Sequence, residues 1–174
     1  QIELRVLASL SNCEKLIEAF NNGVDIHTLT AQQVFETENI TPLQRRQAKA
    51  VNFGIVYGIS DYGLKEQLGV SIFEAKGIIN KFHQAYPEIS EYLANCVEFT
   101  EENGYAKTYF NRRRYLPLIH SKEYNKREFA KRAAMNAPIQ GTAADIIKIV
   151  MVKIDELLKN YDSKSFKNVN QGDL

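Results

Sequence analysis

The sequence predicts an α+β chain in which helices predominate. Three observations carry this expectation. Several segments space their apolar residues at helical intervals, and two of them open on a capping box, Thr41 with Gln44 and Ser71 with Glu74. The first ten residues begin by alternating apolar and polar side chains, as a strand does. Gly104 is followed by two short runs separated by turn residues, the pattern of a β-hairpin.

In order, Ile2, Leu4 and Val6 alternate with Glu3 and Arg5, which predicts a strand running into a helix. Residues 12–20 and 25–35 read as helices, the second capped by Asp25 with His27 in its first turn. A lone histidine there is more often structural than functional. Thr41 starts the next helix with Pro42 at its first position, and Gly58 ends it. A short helix at 62–68 follows. Ser71 caps a helix reaching 85, Pro87 marks a break, and another helix runs to about residue 102. The hairpin strands are expected at 105–109 and 113–116 around Phe110, Asn111 and Arg112. A basic helix at 127–137 is expected to bend at Pro138. A periodic helix then spans 141–159, with Ala144, Ile147, Val150 or Met151, Ile154, Leu157 and Leu158 as its core stripe. Asp145 near its start suits the helix dipole. Past Tyr161 the chain turns polar.

At 174 residues, with 44% hydrophobic and 25% charged residues, the chain has the size and composition of one soluble globular domain. No apolar run approaches the roughly 20 residues of a membrane span; Lys148 breaks the best candidate, 146–152. No signal peptide is recognisable, and the expected location is not secreted but cytoplasmic, at a bacterial nucleoid or its phage or organellar equivalent. The first residue is Gln1 rather than Met, so the N-terminus is expected to be cut from a larger protein or processed. Cys13 and Cys96 have no metal-ligand spacing and read as free thiols of a reducing compartment. The net charge of +1 hides an asymmetry. Residues 105–132 hold nine Lys or Arg against two acids, a local net of +7, which leaves −6 for the rest. Such a segment suits a polyanion on one face, or is simply solvated surface.

Residues 45–58, Arg-Arg-Gln-Ala-Lys-Ala-Val-Asn-Phe-Gly-Ile-Val-Tyr-Gly, have two faces when wound at about 100° per residue. Ala48, Val51 and Ile55 form an apolar stripe. Arg45, Lys49, Phe53 and Tyr57 follow one another at intervals of four on the other side, with Arg46 beside them. Packing on a core needs only one apolar stripe. Cations followed by aromatics suit a ligand with a polyanionic tail and a flat head, such as a nucleoside triphosphate. The same spacing also fits a solvated cationic face beside aromatics that fill core.

The pattern Arg-Arg-x-x-Lys-x-x-Asn-Phe-Gly-x-x-Tyr-Gly resembles the fingers helix, or motif B, of family A DNA polymerases, the polymerase I type. Four other segments resemble the same family in the same order. Gln1-Ile2-Glu3-Leu4-Arg5 is similar to the end of motif A, entered at its fourth residue. The resemblance makes Glu3 the steric gate against a ribose 2′-hydroxyl and places Gln1 and Ile2 at the nucleotide. The family's metal-binding aspartate stands three positions before Gln1, outside this sequence. Asp25-Ile26-His27-Thr28 matches a segment whose histidine approaches the incoming triphosphate.

Residues 110–117, Phe-Asn-Arg-Arg-Arg-Tyr-Leu-Pro, resemble a segment that contacts template phosphates through Arg112, Arg113 and Arg114. Asn111 replaces the usual glycine and tolerates the same left-handed turn. Arg132, Asn136 and Gln140, in Arg-x-x-x-Asn-x-Pro-x-Gln-Gly-Thr-Ala-Ala-Asp, are similar to residues that reach minor-groove base edges near the primer end. Every correct pair offers minor-groove acceptors in similar places, so amides and Arg can test geometry without reading sequence. Asp173 lies where motif C would put its metal-binding aspartate, but Gly172 and Leu174 replace the flanking His and Glu.

The resemblance implies mostly helical fingers with flanking pieces of palm: palm at 1–11, fingers at 12–137 with the nucleotide helix at 42–58, and a return to palm at 138–174. It implies a DNA-directed DNA polymerase that binds primer-template DNA and deoxynucleoside triphosphates and transfers nucleotides by a two-metal Mg²⁺ mechanism. Arg45, Arg46 and Lys49 would hold the triphosphate, Phe53 would stack near base and sugar, and Tyr57 would sit at the templating pair. Lys49, Arg46 and Tyr57 are the expected catalytic positions. With its metal carboxylates outside the sequence or degenerate, the chain is expected to be inactive alone; the missing palm, thumb and exonuclease parts of the same polymerase are its candidate partners, and the presence of exonuclease domains is left open. The alternatives are a non-catalytic nucleic-acid-binding module and one half of a split polymerase.

Overall fold

A computed structural model describes residues 1–159. Eight helices and one hairpin make up this part: α1 (Ile2–Leu10), α2 (Glu14–Asn21), α3 (Ile26–Phe35), α4 (Pro42–Val56), α5 (Asp61–Leu68), α6 (Ile72–Ala85), α7 (Pro87–Asn103), β1 (Tyr105–Lys107), β2 (Arg113–Tyr115) and α8 (Tyr124–Lys159), with a 3₁₀ turn at Pro117–His120 before α8.

Local chemistry sets most of these boundaries. Both capping boxes form: Thr41 Oγ1 accepts from the Gln44 N–H at 3.2 Å, and Ser71 Oγ from the Glu74 N–H at 3.1 Å. Asp25 caps α3, accepting from the His27 N–H at 3.2 Å. In the hairpin turn Asn111 takes φ +63°, the left-handed conformation expected of the residue that replaces glycine.

The core joins α1 through α7 to the middle of α8. Leu7, Val51, Leu64, Tyr86, Ile89 and Ile139 are all but inaccessible within it. A second, smaller core of Ala106, Leu116, Ile119 and the α8 alanines 130, 133, 134 and 137 fixes the hairpin on α8. The two strands pair antiparallel, Tyr105 with Tyr115 and Lys107 with Arg113. Small residues on α8 permit this close seating. A Cβ built on Gly141 would lie 2.5 Å from Thr108 Cγ2, nearer than real contacts allow.

Four expectations are corrected. No strand opens the chain: α1 is helical from Ile2, because Leu4, Leu7 and Ala8 form a buried i, i+3, i+4 set that outweighs a five-residue alternation. The strands are shorter than expected, three residues each. The two helices expected around Pro138 are one, since α8 runs through it. Proline removes one backbone donor, and the buried packing of Ala134, Ala137, Pro138 and Ile139 holds the helix across the gap. Finally, the stripe of Ile147, Val150, Met151, Ile154, Leu157 and Leu158 is not core among the described residues; these side chains are 43–70% exposed. Asp145 and Ile146 are the last α8 side chains shielded by the hairpin and the core; from Ile147 to Lys159 every side chain is exposed. Amphipathic spacing identifies a helix but does not supply the layer that covers it.

Candidate functional site

The two-faced helix forms as expected. On α4, Ala48, Val51 and Ile55 are buried, while Arg45, Arg46, Lys49 and Tyr57 are exposed and Phe53 half-buried. Two other elements supply partners to this outer face. From α3, Asp25 Oδ2 accepts from Arg45 Nε at 2.6 Å. That bond, with those from Thr28 and the His27 N–H, holds the Asp25 carboxyl at about 2. His27 lies beside Phe53, ring centroids 6.1 Å apart. Burial pushes its pKa down, helped by Arg45, Lys49 and the Gln1 amino group and opposed by Asp25. From α1, Glu3 Oε2 accepts from the Tyr57 hydroxyl at 2.8 Å, which pushes the phenol upward. No ion pair engages Arg46 or Lys49 among the described residues, so both cations are open to an anion.

Thus Glu3 and His27, far from α4 in sequence, meet its outer face as expected. Ile2 does not. It lines a separate, mostly apolar cavity of about 320 Å³ with Arg5, Val6, Tyr109, Phe110 and Ile146. Gln1 precedes α1, its carbonyl accepting from the Arg5 N–H.

The expected DNA-contacting residues divide. Arg132, Asn136 and Gln140 share one face of α8 because the helix is continuous through Pro138. Arg132 packs against Gly58, whose φ of +65° and closeness to Met135 leave no room for a side chain. Arg132 also lines a cleft with Phe53, Tyr57, Ser60 and Gln67. Gln140 reaches the Tyr57 hydroxyl and counters its upward shift. Asn136 Oδ1 is buried without a hydrogen-bond partner, an acceptor awaiting a donor. The end of α4 and the polar series of α8 therefore form one continuous surface.

In the hairpin, Arg113 and Arg114 are exposed, Arg113 over the Tyr105 ring at 4.6 Å. Arg112 is exposed too, but it is tied to α8: its Nε donates to Asp145 Oδ1 at 2.9 Å and an Nη to the Gly141 carbonyl at 3.1 Å. Arg112 thus helps hold the hairpin to α8, and Asp145, read from sequence only as a dipole partner, is its anchor. Burial would raise the Asp145 carboxyl, but Thr108 and Arg112 bring it down overall.

Asn52 is the residue that sequence reading missed. It is 3% exposed on α4 and bonds both Thr30 and His27. An asparagine at a core position of an amphipathic helix was the available signal. Among the described residues no three His, Cys, Asp or Glu side chains are grouped to hold a metal ion. Asp173 lies outside the described residues. Cys13 and Cys96 are unpaired, and no described helix is long and apolar enough to cross a membrane.

A helix with two open cations and a tyrosine held by Glu3 thus adjoins a basic hairpin and a polar helix face. The model for DNA polymerase family A matches residues 1–169. DNA polymerase I of Caldicellulosiruptor bescii is 53% identical over 167 residues, covering 95% of this chain and 20% of that protein. DNA polymerase I of Bacillus subtilis strain 168 is 50% identical over 167 residues, with 95% and 19% covered. A solved structure described as the POL domain of Pol1 from M. smegmatis in complex with DNA primer-template and dNTP matches with a TM-score of 0.87 at 44% identity, covering 92% of this chain and 29% of that one. The chain belongs to DNA polymerase family A. It spans about a fifth of the length of the polymerase I relatives it matches.

Proposed function

We propose that this chain is the nucleotide-selecting and DNA-contacting part of a DNA-directed DNA polymerase, acting in replication or repair. The observation that carries the proposal is the convergence of Glu3, His27, Arg46, Lys49, Phe53 and Tyr57 on the outer face of α4. Residues 12–137 serve as fingers and the flanking residues as palm.

Lys49 and Arg46, with the free Nη groups of Arg45, bind the triphosphate of an incoming deoxynucleotide. His27 faces the same phosphates. Phe53 stacks near base and sugar. Glu3, fixed by Tyr57, fills the space that a ribose 2′-hydroxyl needs, so ribonucleotides meet a carboxylate and a clash. Arg113 and Arg114 hold template phosphates without regard to sequence. Arg132, Asn136 and Gln140 test the minor groove of the primer-terminal pair. The reaction assigned to the intact enzyme is attack of a primer 3′-hydroxyl on the α-phosphate with loss of pyrophosphate. Mg²⁺ is the ion assigned to it, but among the described residues no group of three His, Cys, Asp or Glu side chains could hold it.

Two measurements test the proposal. The 174-residue chain with template, primer and Mg²⁺ is expected not to extend primer alone and to gain extension when mixed with a palm fragment supplying the missing carboxylates. In that reconstituted enzyme Glu3→Ala is expected to admit ribonucleotides at least tenfold more readily. Extension by the isolated chain, or unchanged sugar discrimination in Glu3→Ala, contradicts the assignment.

A further inference from the structure

Behind His27 lies a line of buried polar groups from three elements. Tyr86, between α6 and α7, has its hydroxyl 3.4 Å from Thr30 Oγ1 on α3. Thr30 Oγ1 donates to Asn52 Oδ1 on α4 at 3.0 Å. Asn52 Nδ2 is 3.2 Å from His27 Nδ1. Tyr86 and Thr30 are 0% exposed and Asn52 is 3% exposed, so water cannot substitute for any link.

The line has a direction. Because the Thr30 hydroxyl donates to Asn52 Oδ1, the Tyr86 hydroxyl is left as the donor across its 3.4 Å contact with Thr30. Thr30 has a single proton, which goes to Asn52 Oδ1. With its oxygen engaged, Asn52 can turn only its N–H toward the imidazole. His27 Nδ1 must then accept, and the proton of a neutral ring resides on Nε2. The groups around the ring are Asp25, Arg45, Lys49 and the Gln1 amino group. Nε2 has no hydrogen-bond partner among the described residues.

We infer that Asn52, oriented by Thr30 and Tyr86, is a positioning residue that fixes His27 as its Nε2–H tautomer and so presents an N–H donor to the triphosphate. This rests on the assignment of the triphosphate to the outer face of α4. The tautomer matters because a neutral imidazole has one donor. With the proton on Nδ1, the outward nitrogen would offer phosphate oxygens a lone pair and repel them.

Long-range ¹H–¹⁵N spectra of the full 174-residue chain at pH 7.5, with His27 assigned through His27→Gln, read the tautomer directly. The wild-type chain is expected to show a protonated Nε2 and an unprotonated Nδ1. Thr30→Val keeps shape but deletes the hydroxyl, freeing the amide to rotate; it is expected to give mixed tautomers and roughly three- to tenfold weaker dATP binding, with Thr30→Ser restoring both. Lys49→Ala is expected to weaken dATP binding without moving the tautomer. A wild-type ring protonated on Nδ1, or a Thr30→Val ring unchanged from wild type, overturns the relay. A ring protonated on Nε2 whose signals ignore dATP overturns instead its presentation to the triphosphate, and Lys49 signals that also ignore dATP place the failure in the functional assignment itself.

Discussion

Helices α4 and α8 both carry polar residues at intervals of four, yet they treat them differently. Along the α4 face, three functional side chains have a partner from another element: Arg45 has Asp25, Phe53 has the His27 ring and Tyr57 has Glu3. On α8, Arg132 leans on Gly58, Gln140 meets only the Tyr57 hydroxyl, and the Asn136 carbonyl oxygen has no partner. The proposed nucleotide face is partly assembled by the chain itself, with Arg46 and Lys49 left open, whereas the proposed DNA face has fewer internal partners. Preorganisation suits a small ligand whose charges must be met at fixed points. A duplex, gripped at many phosphates, can complete a looser surface.

The largest effect should come from breaking the support of the DNA face. Gly141→Val places a side chain against Thr108, so the hairpin must lift from α8. We expect a loss of about 1–3 kcal/mol in urea unfolding, as for overpacked cores, together with weaker duplex binding and little change in dNTP affinity. Equal losses in both affinities would erase the distinction between the two faces.

The arginine run sharpens the contrast next. Arg113→Ala and Arg114→Ala should each lower duplex affinity and reduce the slope of log affinity against log salt by about 1. Arg112→Ala should lower the melting temperature, because its guanidinium holds Asp145 and the Gly141 carbonyl, with a smaller change in salt slope. Identical slopes for all three variants would show that Arg112 also meets phosphate.

A smaller effect concerns the α4 face and pH. The Asp25 carboxyl is held at about 2 in the fold, below the ordinary 3.8. A depressed carboxylate contributes stability above its unfolded value and loses it as pH falls through the folded one. The urea midpoint should therefore fall between about pH 4 and pH 2, and Asp25→Asn should flatten that limb. His27 adds to the same direction higher up: its pKa is also lowered, so its contribution is complete above 6.5 and declines as pH falls below it. An acid limb unchanged in Asp25→Asn would remove the ion pair from the account.

What could be read from sequence follows from how local each feature is. The capping boxes, the αL asparagine and the cation–aromatic series depend on neighbours within four residues, and the structure has them where expected. The strand expected at Ile2 failed because five alternating residues cannot outweigh a helical burial set formed with distant partners. The covered stripe on α8 failed because covering it requires another layer. Asn52 and Asp145 were missed because their roles exist only across 22 to 33 residues of sequence, where Thr30, His27 and Arg112 meet them. Family resemblance brought Glu3 and His27 to the site, and spacing alone would not have done so.

The central claim is that this chain alone assembles a nucleotide site on α4. The direct measurement is a dATP titration of the 174-residue chain and of its Lys49→Ala and Arg46→Ala variants, with duplex binding measured in parallel. The account predicts saturable dATP binding, weakened roughly tenfold or more in each variant, while duplex affinity stays salt-sensitive and nearly unchanged. Equal dATP affinity in all three chains would contradict it, and would leave a nucleic-acid-binding module whose nucleotide face is idle.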